Sequence, residues 1–374
     1  MKYKISDIAE INKKNINKNY KGKVFYLDTS SVTNDFFNCP KIYTSLKEAP
    51  IRARRLAEDG DTIISTVRPA MRHVGYISQN LNRVYSTGFA IISPKKSKVN
   101  PFYLYLVLSS KEITNLLQSI AVGSTSAYPS IKPRDIGNLI FDFPSLCIQE
   151  KIASIMQQII LKIKMNNQIN DNLLELISSI WKKQSSDIHN KITLKRLAKR
   201  IITGKTPSTK IKENYGIDIP FVKIPDMHNK IFIDETSQKL SIFGANSQKN
   251  KYVPKNSIIV SCIGTPGLVS LIGRTVQTNQ QINSLILDNK YIYCTYLELK
   301  SLKYKIRNLG SGGTTIQNLN KTNFGNIKIT VPNKDSQLDN FNGIAKPIFE
   351  RIHVNNIELQ NLVKIKEVLL GQYF

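Results

Sequence analysis

Two segments of the chain carry a helical pattern of apolar residues. Over residues 145–183 and 333–370 the apolar side chains recur three and four positions apart, which places them on one helix face. In the first segment the steps of four and three continue as in the seam of a left-handed coiled coil. That seam consists of Ile152, Met156, Ile159, Ile163, Asn166, Asn170, Leu173, Ile177 and Ile180. The pattern predicts one long helix over 146–185 and a second over 333–374.

The second helix repeats the seam of the first at a shift of 189 positions. Its seam consists of Phe341, Ala345, Ile348, Ile352, Asn355, Leu359, Leu362, Lys366 and Leu369. An Asn in such a seam costs stability but selects register, because a mismatched partner leaves its amide unsatisfied. We therefore expect an antiparallel coiled coil in which Asn166 meets Asn355. The alternative is that each helix packs only against the block that precedes it.

Each helix follows a strand-rich block, over residues 1–145 and 191–332. The apolar runs Thr62–Ser65 and Ser257–Val260 are typical of short buried strands. The blocks themselves are similar, since Gly137–Gln149 aligns with Gly325–Gln337 at a constant shift of 188 positions. The sequence therefore predicts an α+β fold with pseudo-two-fold duplication: two mixed α/β globular domains separated by two long helices in an antiparallel coiled coil.

The charge of the chain is strongly positive. Its 374 residues contain 53 Lys and Arg against 27 Asp and Glu, a net charge of +26. Clustered cations gain free energy by displacing counterions from phosphate, so nucleic acid is the first partner to consider and a membrane surface the second. An AT-rich genome would also supply many Lys and Asn, in which case part of the charge is solvated surface. Without an apolar run near the ~20 residues of a membrane span and without a signal peptide, we expect a cytoplasmic protein.

Residues typical of catalysis or metal binding do not form a recognisable group. The four cysteines, Cys39, Cys147, Cys262 and Cys294, and the four histidines, His73, His189, His228 and His353, are scattered along the sequence. No phosphate-binding loop is present, and Asn100-Pro101-Phe102 and Pro225-Asp226 are incomplete fragments of methyltransferase and nuclease motifs. We predict a non-catalytic chain with no cofactor or metal of its own.

Loops rich in Arg, Lys, Ser, Thr, Asn and Gln are candidates for contacting bases and phosphates. In the first block the candidates are Arg52, Arg54, Arg55, Ser65, Thr66, Arg68, Arg72, Thr87 and Tyr128. In the second block they are Lys205, Thr206, Ser208, Lys223, Thr265, Asn279, Gln280, Gln281, Thr314 and Thr315. Arg68 is favoured because it follows a predicted strand, whereas Arg54 and Arg55 could instead be solvated or pair with Glu58 and Asp59.

Short motifs in both blocks and at the start of both helices together match one known family. In the first block they are Ala49-Pro50, Arg52–Arg55, Gly60–Pro69 and Ser86–Phe89. In the second block they are Gly204–Ser208 and Ile219–Lys223, and the helices begin with Pro144 and Gln149 and with their copies Pro332 and Gln337. With these motifs the sequence resembles, over essentially its whole length, the DNA-specificity subunits of Type I restriction-modification systems. The two blocks resemble two different classes of target-recognition domain, and the second has Asn214 and Phe221 where its class has Trp.

The resemblance implies a role in choosing a DNA sequence. Each recognition domain would read one half of a split target, and the coiled coil would separate the two domains. Two methyltransferase subunits would dock along the coil and flip an adenine from each half-site with S-adenosylmethionine that they bind themselves. Restriction subunits would use ATP and Mg²⁺ to translocate DNA before cleavage.

Three other interpretations remain open from the sequence. One is an enzyme, a fused methyltransferase or nuclease, which would require the missing motifs. Another is a basic coiled-coil scaffold that binds any duplex without base specificity. The third is a specificity subunit that serves a related system with methyltransferase alone.

Overall fold

The computed structural model describes residues 1–79, 81–123, 128–188, 190–309 and 319–373. It contains two compact units, Met1–Lys162 with Val363–Phe374, and Ile163–Leu362. Each unit therefore holds one strand-rich block together with parts of both long helices.

The first unit is built on two antiparallel-rich sheets. Its strands are β1 Lys2–Lys4, β2 Ala9–Ile11, β3 Lys14–Asn15, β4 Val24–Leu27, β5 Val32–Thr33, β6 Phe36–Phe37, β7 Lys41–Tyr43, β8 Ala53–Leu56, β9 Thr62–Ser65, β10 Val74–Tyr76, β11 Arg83–Ser86, β12 Phe89–Pro94 and β13 Ile140–Asp142. Its helices are α1 Ile5–Ile8, α2 Pro101–Ser109, α3 Lys111–Val122, α4 Pro133–Gly137 and the first part of α5 Leu146–Ser185. The sheet orders are β10-β9-β12-β2 and β3-β8-β11-β4-β7.

Strand β9 is buried on both faces. Successive side chains of a strand point to opposite faces, so Ile63 and Ile64 enter different cores. Ile63 joins the cluster of Phe89 and Ile91, whereas Ile64 packs with the helical layer around Leu104. All four residues of β9 are therefore buried, in place of every second one.

The second unit has its own central sheet, in the order β15-β23-β20-β21-β18. Its strands are β14 Lys191–Thr193, β15 Arg200–Thr203, β16 Tyr215–Gly216, β17 Ile219–Val222, β18 Phe232–Ile233, β19 Lys239–Leu240, β20 Ile258–Ser261, β21 Val269–Ile272, β22 Gln277–Thr278, β23 Ile282–Ile286 and β24 Lys328–Thr330. Its helices are α6 Leu194–Leu197, α7 Ile224–Met227, α8 Ile242–Asn246, α9 Ile292–Ser301, α10 Lys303–Leu309, α11 Lys321–Gly325 and most of α12 Asp335–Tyr373. Strands β16-β19-β17-β22 form a smaller sheet.

The predicted α+β duplication is confirmed strand by strand. Strands β2, β12, β9 and β10 occupy the same order in their sheet as β15, β23, β20 and β21 in theirs. Equivalent loops also meet in the same way. The Ile131 amide donates to the Thr66 carbonyl at 2.9 Å, and the Leu319 amide donates to the Cys262 carbonyl at 2.8 Å. The second copy differs by an added parallel strand, β18.

The two long helices run antiparallel where they meet inside the second unit. The ring of Trp181 lies 4.8 Å from that of Phe341, and Asn166 Nδ2 donates to Glu358 Oε2 at 2.8 Å. The first contact pairs the end of α5 with the start of α12, and the second pairs the middle of both, so the two helices are antiparallel here, as predicted. Pro347 lies inside α12. The apolar pattern predicted this helix without regard to Pro347, which has no N–H to donate to a helical hydrogen bond.

The expected contact between Asn166 and Asn355 is wrong by about one turn. Asn355 Nδ2 donates instead to Asn170 Oδ1 at 3.0 Å, and Asn166 pairs with Glu358. Asn166, Asn170 and Asn355 are all buried. The stagger of the helices decides which amides meet, because each buried amide must find a partner.

The helices also pack against the blocks, so the two interpretations of the seam are compatible. In the first unit Ile152 and Met156 of α5 belong to the core of the block, and Leu370 of α12 packs against it. In the second unit Ile177 and Phe341 belong to the core that contains β20 and β23.

Candidate nucleic-acid interface

The loop that follows β9 presents Arg68 at the surface of the first unit. Arg68 has φ 51° and ψ 63°, in the left-handed region. Its amide donates to the Pro129 carbonyl at 2.8 Å, and its guanidinium carbon lies 4.5 Å from the centre of the Tyr128 ring. Both side chains are exposed, Tyr128 to 58%. The structure therefore brings together two candidates that are 60 positions apart in the sequence.

Arg52 and Thr87 lie in loops that are hydrogen-bonded to one another. The Thr87 amide donates to the Arg52 carbonyl at 2.8 Å, and both residues are exposed. The next residue, Gly88, accepts from the Thr66 amide at 2.8 Å. Because Thr66 lies two residues before Arg68, Arg52 and Thr87 belong to the same group of joined loops as Arg68 and Tyr128.

Other candidates of the first block are engaged within the protein. Ser65 and Thr66 are buried, and their hydroxyls donate to the carbonyls of Val67 and Gly88 at 2.8 and 2.9 Å. Arg72 donates to the Ser109 carbonyl at 2.8 Å. These three side chains therefore stabilise the loop next to Arg68.

Arg54 and Arg55 lie within β8 and are partly buried. Arg55 Nη1 donates to Asn15 Oδ1 at 3.1 Å, and burial lowers the pKa of Arg55. Glu58, one of the two acids considered as their partners, forms its ion pair with Lys14.

In the second unit the loop that carries Lys205 and Thr206 packs against the loop 278–281. The Lys205 amide donates to the Thr278 carbonyl at 3.0 Å, and Thr206 Oγ1 donates to Gln280 Oε1 at 2.6 Å. A Cβ at Gly204 would lie 2.1 Å from the Asn279 carbonyl oxygen. Only glycine permits this close approach at position 204.

The amides of Asn279 and Gln281 are joined side by side. Asn279 is buried, and its Nδ2 donates to Gln281 Oε1 at 2.9 Å. Gln281 lies beside Gly264, since a Cβ there would be 3.7 Å from Gln281 Nε2. The exposed Thr265 follows Gly264, so it belongs to this group of loops.

The remaining candidates of the second block have mixed positions. Lys223 is partly buried and adjoins the group, because the Asn279 amide donates to the carbonyl of its neighbour Val222 at 3.1 Å. Ser208 is exposed, and its carbonyl accepts from Asn214 Nδ2 at 3.0 Å. Thr314 and Thr315, like His189 among the histidines, lie outside the described residues.

Asn214 and Phe221, the residues that stand where the resembled class has Trp, are both buried. Asn214 is 4% exposed and Phe221 is fully buried. Both positions therefore serve the interior of the second unit.

Two buried glutamines support the Lys205 loop. Gln248 Nε2 donates to the Lys205 carbonyl at 2.9 Å and to Gln277 Oε1 at 2.7 Å. Gln277 Nε2 donates in turn to the Ala245 carbonyl at 2.8 Å. Sequence reasoning missed both residues because nothing in the local sequence distinguishes a buried Gln from the exposed Gln that is usual.

Three basic residues near the candidate Lys205 were not predicted from the sequence. Burial and the nearby positive charges of Lys321, Lys205 and Arg200 lower the pKa of Lys251. Together with Lys205 these residues come from three separate segments of the second unit, so no local charge run marks them. Below we call Arg200, Lys205, Lys251 and Lys321 the basic group.

The candidate loops carry guanidinium, ammonium, amide and hydroxyl groups, which are the groups that can contact bases and phosphates. Within the part of the chain that the structure describes, no three His, Cys, Asp or Glu residues are grouped so as to hold a metal ion. No helix among those residues is long and apolar enough to cross a membrane.

Comparison with protein families shows which family the chain belongs to. The model of the Type I restriction modification DNA specificity domain matches residues 1–175 and, a second time, residues 189–363. The chain belongs to this family. Its two copies of the specificity domain each cover one strand-rich block and most of the following helix.

Individual relatives agree with this membership. The chain is 30% identical to the Type I restriction enzyme HindI specificity subunit of Haemophilus influenzae, over 98% of this chain and 97% of the relative. It is 26% identical to the Type I restriction enzyme MjaIX specificity subunit of Methanocaldococcus jannaschii, over 90% of this chain and 83% of that protein. The specificity-subunit resemblance inferred from the sequence is thus confirmed.

A solved structure supports the fold. The crystal structure of the Type-I restriction-modification system S subunit from M. genitalium matches with a TM-score of 0.62 and 14% sequence identity. The match covers 100% of this chain and 96% of that chain. At this sequence identity the match supports the fold alone and says nothing about which residues contact DNA.

Proposed function

We propose that this specificity chain reads a two-part DNA target and directs partner subunits to it. The observation that carries the proposal is the repetition of one sheet framework with different side chains in equivalent loops. The first copy offers an arginine beside an aromatic ring, and the second offers amides with a basic group. Two different readers on one chain suit a target with two different halves.

The chemistry of each loop group suggests how a half-site is read. Arg68 is suited to guanine, whose O6 and N7 accept two hydrogen bonds from one guanidinium. Gln280 and Gln281 are suited to adenine, whose N6 and N7 match a side-chain amide. Arg52, Lys223 and the basic group are suited to phosphates, and Thr87, Ser208 and Thr265 can donate to either.

The chain itself contributes sequence choice, and the reactions belong to its partners. We assign adenine methylation to two methyltransferase subunits that bind S-adenosylmethionine, and ATP- and Mg²⁺-dependent translocation and cleavage to restriction subunits. The antiparallel helices are suited to fix the number of unread base pairs between the halves. A system with methyltransferase alone would use this chain in the same way.

The test is to map adenine methylation in genomic DNA. Cells expressing the chain with its methyltransferase subunit are compared with cells expressing the methyltransferase subunit alone. A new two-part motif with a fixed gap is expected, and the motif identifies both half-sites. If the complex assembles but methylation is unchanged or follows no motif, the proposal is wrong and a scaffold that binds any duplex is favoured.

A further inference from the structure

The turn that presents Arg68 is held in an uncommon backbone conformation at both ends. Arg68 and Arg72 have φ values of 51° and 53°, and they flank the single helical turn Pro69–Met71. The left-handed region is disfavoured for residues with a Cβ, and such conformations persist only where the surroundings impose them. The structure shows what imposes this one.

Hydrogen bonds fix the turn from three sides. The Arg68 amide donates to the Pro129 carbonyl at 2.8 Å, and the Ala70 amide donates to Gln118 Oε1 of α3 at 3.0 Å. On the far side, Arg72 Nη2 donates to the Ser109 carbonyl at the end of α2 at 2.8 Å. The turn that carries Arg68 is thus tied to two helices and to the segment that carries Tyr128.

Tyr128 acts on the side chain of Arg68. The guanidinium carbon lies 4.5 Å from the ring centre, the geometry of a cation–π contact. A free arginine loses much rotamer freedom when it binds a base edge, and a ring that already restricts it reduces that loss. Tyr128 is 58% exposed, so burial of the ring itself does not explain its position.

We propose that Tyr128 and Gln118 are positioning residues that hold Arg68 for the reading of one base pair in the first half-site. Gln118 fixes the turn, and Tyr128 fixes the guanidinium. This inference rests on the proposed function, because it requires that the first block reads DNA. It goes beyond it by assigning two supporting residues to one reader.

The test uses the full-length chain in complex with its methyltransferase subunit. Once methylation mapping has given the motif, duplexes are prepared with each base pair of both half-sites replaced in turn, and binding is measured for each. Tyr128→Leu removes the ring, whereas Tyr128→Phe keeps the cation–π contact. We expect Tyr128→Phe to behave as wild type and Tyr128→Leu to lose about tenfold discrimination at one base pair of the first half-site.

A double-mutant cycle separates positioning from direct contact. Arg68→Ala should abolish discrimination at the same base pair, and adding Tyr128→Leu should then change nothing more. An additional loss at that or another base pair would overturn the proposal, because it would show that Tyr128 contacts DNA itself. Unchanged discrimination in Tyr128→Leu alone would also overturn it.

Gln118 provides a second pair of variants that is independent of the ring. Gln118→Met removes the acceptor for the Ala70 amide, whereas Gln118→Glu keeps one. Loss of discrimination at the base pair read by Arg68 is expected only for Gln118→Met. The two Gln118 variants decide the proposal if Tyr128→Leu does not assemble with the methyltransferase subunit. Equal behaviour of the two variants overturns it. A wild-type complex without any base preference would overturn the proposed function itself. A wild-type complex with a base preference that the variants leave unchanged would overturn only the positioning role of Tyr128 and Gln118.

Discussion

The two recognition blocks share a framework and differ in what their equivalent loops present. The loop after β9 joins Ile131 through the Thr66 carbonyl, and the loop after β20 joins Leu319 through the Cys262 carbonyl. Arg68 lies two residues after Thr66 in the first copy. The equivalent position in the second copy, two residues after Cys262, is Gly264, and Gln281 lies beside it. The sheet framework therefore fixes where each loop stands, whereas the residues of the loop decide which side chains it presents.

The two blocks also differ in how their cations are placed. In the first block Lys13 pairs with Glu10 at 3.5 Å, and Lys14 pairs with Glu58. In the basic group of the second block, burial and then the nearby like charges lower the pKa of Lys251. Mutual repulsion is a cost in the free protein that a bound phosphate backbone would relieve. We therefore infer that the basic group contributes more to phosphate binding than the paired Lys13 and Lys14 of the first block.

The largest effect is expected from removing the reader of the first block. Arg68→Ala should reduce discrimination at one base pair of the first half-site by up to about 100-fold and leave the second half-site unchanged. Gln280→Ala should do the reverse. Binding to duplexes with single base-pair replacements measures both. A uniform loss over all sequences would reassign Arg68 to phosphate contact and remove the contrast between the blocks.

Support within the second block can be tested at Gln277. Gln277→Leu leaves Gln248 Nε2 and the Ala245 carbonyl short of a partner in the interior, at a cost of about 2 kcal/mol in the free energy of unfolding. Urea denaturation measures the change, with the exposed Gln280→Leu as the matched control near zero. Equal stability of the two variants would show that the buried amides do not hold the Lys205 loop.

The seam asparagines are tested by removing one amide or both. Asn355→Leu leaves the buried Asn170 amide without its partner and should cost about 1 kcal/mol. The double variant Asn170→Leu with Asn355→Leu should recover most of that loss, because no amide is then stranded. Thermal denaturation measures stability. Additive losses in the double variant would contradict the pairing seen between the helices.

The smallest effect is expected at the basic group. Lys321→Gln should weaken DNA binding a few-fold for every sequence and lower the slope of log K against log salt by about 1. Lys14→Gln is the matched control in the first block, since Lys14 is already paired with Glu58. Titrations at several salt concentrations measure the slopes. Equal slope changes in the two variants would contradict the difference between the blocks.

The sequence by itself determined the duplication and the two long helices. These features follow from local patterns, because apolar periodicity and turn residues act over a few neighbouring positions. The heptad phase placed Asn166 and Asn355 in the seam, and the buried positions agree. The arginine after β9 was also visible because a strand end predicts an exposed loop.

Only the tertiary structure decided which polar groups turn inward and which partners they find. Ser65 and Thr66 look like DNA contacts in the sequence but are buried and bonded to carbonyls. The partner of Asn355 is Asn170 because the stagger of two helices is set by all their contacts together. The basic group and the pair Gln248 and Gln277 arise from segments far apart in the chain. Burial and pairing depend on contacts between distant segments, which local sequence patterns do not contain.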